Sequence, residues 1–173
     1  MLQLTHSAIL DTDKGVFSLE KTLAQILSDK KGGPIDYNGK NVVMAKKIPV
    51  KSGQEVEIEI LRFNGDSKQG FEVSIDQRKG YIEVNGQKLN SPIFWTDTAP
   101  RTFSFKCFPK KTEGIMGIWN VWKNIEYKEN TDAWIGNAGL YVERIDDEKT
   151  ILHCSNGIGD VNFDDLVLQI KIK

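Results

Sequence analysis

NGIGDVNFDDLVLQIKIK, residues 156–173, is the stretch that decides the fold of this chain. It joins an Asn-Gly turn, an acidic loop and a strand in which Leu166, Leu168, Ile170 and Ile172 alternate with other residues. A strand at the end of a chain stays ordered only if it pairs within a sheet. The segment therefore predicts a sheet, with a cluster of oxygen ligands at the mouth of its last strand.

The same period of two recurs from about residue 41 to residue 173. Val56, Ile58 and Ile60 alternate with glutamates, as in a strand with one solvated face. Asn85-Gly86 marks a hairpin, because a type I′ turn needs positive φ at both positions. Roughly eight to ten short strands with frequent turns predict an all-β fold. We expect one domain over residues 1–173, an antiparallel β-sandwich, with a jelly roll as one form of it.

One N-terminal amphipathic helix is predicted over about residues 18–31. Ser18 is its expected N-cap, and Gly32-Gly33-Pro34 ends it. The apolar residues that define its buried face lie at i, i+4, i+7 and i+8: Leu19, Leu23, Ile26 and Leu27.

The segment 115–122 is apolar on both faces of a predicted strand. Ile115, Trp119 and Val121 lie on one side, and Met116, Ile118 and Trp122 lie on the other. A strand of this kind is normally covered on both faces. We expect the N-terminal helix to cover it. The alternative is a partner, which predicts a dimer whose interface includes Trp122.

Composition excludes several classes of function. Lys and Arg number 23 and Asp and Glu number 24, so the chain lacks the basic excess of a non-specific nucleic-acid binder. No apolar run has the roughly 18 residues of a membrane span, and no signal peptide is recognisable. We expect a cytoplasmic protein, or one exported without a cleaved signal. Cys107 and Cys154 are two small apolar strand residues, and a bridge between them stays open for an exported chain.

The acidic loop offers a candidate metal site. Asp160, Asn162 and Asp164 occupy every second position, as the first ligands of many calcium loops do, and Asp165 follows. The segment GDVNFDDLVLQI resembles the end of bacterial β-sandwich domains whose last strand begins G-D-x-D-[FY]-N-D-L-V and which look calcium-dependent. It departs from that pattern at Asn162 and Asp164. The resemblance covers about a dozen residues and implies calcium ligands at these four positions; the alternative is that they only cap a turn.

Tryptophans are concentrated in the second half of the chain, at positions 95, 119, 122 and 134. Sugar-binding modules stack pyranose faces on exposed Trp and use Asn, Asp and Gly loops for the hydroxyl groups. Trp95 with Asp97, Trp122, and Trp134 with Asn137 are therefore candidate glycan-binding residues. The simpler alternative places at least two of the four tryptophans in the core.

Catalytic machinery is sparse. Glu55, Glu57 and Glu59 line one strand face roughly 7 Å apart, a spacing that would suit a glycosidase pair. We expect a non-catalytic, lectin-like binding module assisted by calcium. The first alternative is a bacterial interaction or assembly protein, toxin-neutralising or structural, that binds a protein partner or a second copy of itself. A small carboxylate hydrolase is the weaker alternative.

Overall fold

The computed structural model of the chain describes residues 9–11, 16–18 and 20–173. It confirms the antiparallel all-β sandwich: two sheets pack face to face, and every strand pair within them is antiparallel. The sheets have nine and five strands, more than the eight strands of a jelly roll. A separate short hairpin joins β1 (Ile9–Asp11) to β2 (Val16–Ser18).

The large sheet places the C-terminal strand at its centre. Its strands, in spatial order, are β3 (Ile35–Tyr37), β4 (Lys40–Val43), β14 (Gly139–Arg144), β15 (Lys149–Ser155), β16 (Leu166–Ile172), β6 (Gln54–Phe63), β11 (Thr102–Phe108), β8 (Tyr81–Val84) and β9 (Gln87–Leu89). Strand β16 pairs with β15 on one side and β6 on the other. The expectation that residues 166–172 lie within a sheet is therefore confirmed.

The small sheet is built around one long strand, β12 (Glu113–Lys123). Its other strands are β10 (Ile93–Trp95), β7 (Gln69–Ile75), β5 (Lys46–Lys51) and β13 (Thr131–Asp132). Strand β7 lies on one side of β12, and β5 and β13 share the other side. Strand β10 pairs with β7 and forms the edge.

The core lies between the two sheets and follows the predicted alternation. Every second residue from Val56 to Ile60 of β6 is buried, and the face of β12 that carries Met116 and Ile118 is buried as well. The main buried residues are Val56, Ile58, Ile60, Phe71, Val73, Ile75, Phe105, Met116, Ile118, Leu152, Leu168 and Ile170. Because these side chains fill the space between the sheets, the outward faces of β7 and β12 are left for other contacts.

The predicted start of the helix is wrong. Helix α1 spans Leu23–Asp29, whereas Ser18 pairs with Ile9 in the N-terminal hairpin. Thr22 is the N-cap, and it forms a capping box with Gln25, because Thr-x-x-Gln satisfies two helix-start amides reciprocally. Leu19 lies outside the described residues. No helix in the described part of the chain is long and apolar enough to cross a membrane.

The predicted position of the helix is also wrong. Leu23 and Leu27 pack with Ile35 and Val42, so α1 covers the outward face of the large sheet near β3, β4 and β14. It does not cover the outward face of β12. Ile115 on that face is 43% exposed, so part of this apolar face is open to a ligand or a partner.

The C-terminus of α1 offers a simple test of its geometry. Lys31 has φ 54°, and its N–H and that of Gly32 donate to the carbonyls of Ser28 and Leu27, as in a Schellman motif. Because glycine adopts this conformation without strain, Lys31→Gly is expected to raise the free energy of unfolding by about 0.5–1 kcal/mol in urea titrations. Lys30→Gly is the control, since Lys30 has φ −86°. An equal gain in both variants would contradict the assignment.

The two cysteines are buried and free. Cys107 lies on β11 and Cys154 on β15, with β16 and β6 between them. Three strand spacings amount to about 14 Å, well beyond the reach of a disulfide. Burial raises the pKa of the Cys107 thiol to about 12, so both residues act as small apolar core groups.

Candidate functional site

The acidic loop is organised around Asp165, which is buried. One carboxylate oxygen accepts hydrogen bonds from the side-chain amides of Asn64 (3.2 Å) and Asn162 (3.0 Å). The other accepts from the backbone N–H of Asn156 at 3.0 Å. Burial raises the pKa of Asp165, and the three donors oppose that rise.

Asp164 and Asn162 have partners within the protein. Asp164 forms an exposed ion pair with Arg62, and the Asn162 side-chain oxygen accepts from the Asp164 N–H. Three N–H donors aimed at Asp165 do not fit a cation in this arrangement. Among the described residues, no group of three His, Cys, Asp or Glu side chains is placed to hold a metal ion. Calcium binding at Asp160, Asn162, Asp164 and Asp165 stays a prediction.

Two of the predicted glycan contacts are occupied within the protein. Trp122 is 1% exposed, so its proposed roles as a sugar platform and as an interface residue are both wrong for this fold. Asn137 accepts the Leu23 N–H at 3.2 Å and donates to the Gly159 carbonyl at 2.7 Å. Its amide therefore ties three segments together rather than facing a ligand.

Trp95 and Asp97 lie apart from the other candidates, at the β10 edge of the small sheet. The Trp95 ring lies over Gly70, where a side chain would overlap it. The ammonium groups of Lys68 and Lys123 each lie 5.2 Å from the centre of that ring, and Lys68 also pairs with Asp97 at 3.1 Å. The Trp95 ring is therefore engaged in cation–π contacts and the Asp97 carboxylate in an ion pair.

Trp134 is the exposed member of an aromatic pair on the outward face of the small sheet. Its ring centre lies 4.9 Å from that of Trp119 on β12, with the planes inclined by 39°. Trp134 is 44% exposed, whereas Trp119 is 8% exposed. The Trp134 indole N–H donates to the Met44 carbonyl at 3.2 Å, which fixes the ring above the sheet.

The loop that carries this ring, residues 133–138, is called here the Trp134 loop. Trp134 itself has φ 58°, a conformation that is a strained outlier for a bulky residue. The carbonyl of Gly136 accepts the Ala24 N–H at the start of α1 (3.0 Å). A β-carbon at Gly136 would overlap the carbonyl oxygen of Gly157. These contacts hold the strained residue in place.

A second strained segment faces the Trp134 loop. Asp76, Gln77 and Arg78 have φ values of 48°, 54° and 71°, three consecutive left-handed residues without a glycine. The Asp76 carboxylate accepts the backbone N–H groups of Lys110 (3.0 Å) and Ile115 (2.8 Å). Such strain costs about 1–2 kcal/mol per residue and concentrates at functional sites. We call residues 76–78 the strained turn.

Between these two segments lies a groove of about 720 Å³, called here the outer groove. Its floor and walls include Lys47, Arg78, Ile115, Gly117, Trp119 and Trp134. The floor is open at Gly117, because a β-carbon there would meet only ordinary contacts, 3.4 Å from Trp119 and 3.9 Å from the Ser74 carbonyl. The volume is in the range of small-ligand sites.

The row of glutamates on β6 is engaged by the C-terminal lysine. Lys173 contacts Glu55 at 3.0 Å and Glu57 at 2.7 Å. Hydrogen bonds from Lys173 lower the pKa of both carboxyls, whereas a glycosidase acid needs a raised pKa. The Glu59 carboxylate accepts a long hydrogen bond from Gln169, at 3.5 Å.

Comparison with protein-family models, curated proteins and solved structures found no match for this chain. The outer groove is therefore interpreted from its own geometry. Of the predicted site residues, only Trp134 lines it. The sequence interpretation missed Gly117, Lys47 and the strained turn; the doubly apolar segment 115–122 was the one sequence signal that pointed to this face.

Proposed function

We propose that the protein is a non-catalytic binding module and that a glycan binds in the outer groove. The observation that carries the proposal is Trp134, an exposed ring that has positive φ, packs against Trp119 and lines the same groove as Gly117. A rigid, half-exposed aromatic plane suits the apolar face of a pyranose ring. Strained backbone on both walls supports a functional rather than a structural role for this groove.

The dimensions of the groove agree with a single sugar chain. Gly117 lies between Lys47 on β5 and Ser74 on β7 in one row across the sheet. Two strand spacings separate the outer members of that row by roughly 10 Å. A pyranose ring fits this width with its face on Trp134 and its edge toward the strained turn.

Trp134→Ala is expected to weaken glycan binding about tenfold, because it removes one aromatic stacking contact. The measurement is calorimetric titration of the wild type and Trp134→Ala with the tightest-binding member of a panel of neutral and acidic oligosaccharides. Trp95→Ala is the matched control, because Trp95 lies outside the groove. This variant should bind the oligosaccharide with the affinity of the wild type.

A second variant tests the groove without removing an aromatic ring. Gly117→Val places a β-branched side chain, which strands favour, on the open floor. Glycan binding should be lost, and a urea titration checks that the variant is folded. Absence of binding to every glycan, or equal affinities in the wild type, Trp134→Ala and Gly117→Val, would refute the proposal.

A protein partner is the second candidate occupant of the same surface. The observation that favours it is the exposure of apolar side chains at and beside the groove, with Ile115 at 43% and Ile135 at 52%. A second copy of the chain would give a mass that rises with concentration in analytical ultracentrifugation. A constant monomer mass would remove the homo-oligomer from consideration.

A further inference from the structure

We infer that the outer groove selects glycans that carry a carboxylate, namely hexuronate-containing oligosaccharides. This inference rests on the proposed function, since it names the class of glycan for the same groove. It comes from the charges on the two walls, which the aromatic pair alone does not explain.

The cations of the groove stand on both sides of the open floor. Lys47 is the neighbour of Gly117 on β5, and Arg78 and Lys79 lie on the opposite wall, beyond Ser74. Neither Lys47 nor Lys79 forms an ion pair with any residue in the described ranges. Their ammonium groups are therefore free to bind an anionic ligand.

The acidic residues near the groove are already engaged. Asp76 lines it, but both of its carboxylate oxygens accept backbone N–H groups. Glu72 is 8% exposed, and one of its oxygens accepts Arg78 Nη2 at 3.0 Å and the Ser91 hydroxyl. The groove therefore presents a positive field to a ligand.

Arg78 keeps donors for a ligand although it contacts Glu72. Its side chain is 65% exposed, and a guanidinium has five N–H donors in a planar fork that matches a carboxylate. Its backbone is held in the strained turn, where its N–H donates to the Ser74 hydroxyl at 3.0 Å. The strained turn thus places a cation in the lining of the outer groove.

A hexuronate combines both requirements in one sugar unit. Its ring face can stack on Trp134, and its C5 carboxylate projects from the ring edge, which faces Arg78 and Lys79 when the ring lies over Gly117. A neutral hexose would satisfy the aromatic pair and leave the cations without a partner. An acidic peptide lacks the flat ring face that suits Trp134.

The test uses matched ligands that differ in one carboxylate charge and one added methyl group per sugar unit. Oligosaccharides of galacturonate, glucuronate, mannuronate and guluronate are titrated calorimetrically into the wild-type protein, each as the free acid and as its methyl ester. At least one acid is expected to bind about tenfold more tightly than its ester, as for a charge-assisted hydrogen bond. Raising NaCl from about 0.05 M to about 0.5 M should lower the affinity for the acid and leave the affinity for the ester unchanged.

Two variants locate the effect. Lys47→Gln and Lys79→Gln are each expected to lower the affinity for the acid several-fold without changing the affinity for the ester. Lys106→Gln is the control, because Lys106 is an exposed residue of the large sheet, and it should bind both ligands like the wild type.

The outcomes separate this inference from the proposed function. Equal affinity for every acid and its ester, or tighter binding of a sulfated glycan than of any uronate, would overturn the inference and leave glycan binding intact. If an oligoglutamate peptide or a single-stranded oligonucleotide binds and no glycan does, both are overturned. The same holds if no ligand binds at all.

Discussion

Gly136→Ala is expected to destabilise the protein by about 3 kcal/mol and to displace the Trp134 loop. Gly136 has φ 58°, and its missing side chain allows the Gly157 carbonyl to approach it. Alanine adds the cost of a left-handed residue and an overlap with backbone that cannot move aside easily, each about 1–2 kcal/mol. Urea unfolding followed by circular dichroism measures the loss.

Gly86→Ala is the matched control for this variant. Gly86 has φ 76° in the β8–β9 hairpin, but a β-carbon there would contact nothing within 4 Å. Its cost should be about 1 kcal/mol, that of the conformation alone. The difference between the two losses of unfolding free energy measures the overlap of the new side chain at residue 136 with Gly157. Equal losses would show that this overlap has no effect.

Asp165→Ala is expected to cost about 3 kcal/mol as well. The substitution leaves the N–H of Asn156 and the amides of Asn64 and Asn162 without the acceptor they share. A buried donor that loses its acceptor costs about 1–3 kcal/mol, and the two side-chain amides recover part of this by turning to water. The same urea titration measures it.

Asp164→Ala is the control in the adjacent position. Its ion pair with Arg62 is exposed, so the loss should be under about 1 kcal/mol. Similar losses for the two variants would contradict the central role of Asp165.

A thermal melt with chelator and then with Ca²⁺ tests the calcium prediction, since one filled site adds roughly 2.7 kcal/mol at 100-fold excess over Kd.

The cost of Asp165→Ala should also depend on pH. Because the pKa of Asp165 is raised in the folded state, the folded protein keeps a proton that the unfolded chain has already lost. The stability linked to this proton is present below the ordinary aspartate pKa and is lost as pH rises through the folded-state value. The difference between wild type and variant should therefore be larger at acid pH than at neutral pH.

The strands that were predicted from alternation were predictable because one face of each lies in the core. Alternation in residues 56–60 and 166–172 can be satisfied only by a sheet with a core on one side. Positive φ at Asn85 and Gly86 agrees with the predicted hairpin. The helix start was missed because Ser18 and Thr22 are both good N-caps, and pairing of Ser18 with Ile9 decided between them.

The groove was not predictable from local sequence. Left-handed backbone at Asp76, Gln77 and Arg78 carries no glycine or asparagine signal, and distant partners such as the Ile115 N–H stabilise it. The burial of Trp122 depends on which face of β12 meets the other sheet, and the exposure of Trp134 depends on the contacts that hold its loop. Gly136, between Trp134 and Asn137, makes room for the carbonyl of Gly157.

The most direct test of the account is an NMR titration of the four tryptophan indole N–H signals with the tightest-binding glycan. The signals of Trp134 and Trp119 should shift together along one binding curve, because these rings adjoin the outer groove. The signals of Trp122, which is buried, and Trp95, which lies at the β10 edge, should stay in place. A shift of Trp95 alone, or no shift in Trp134 while the glycan binds, would contradict the account.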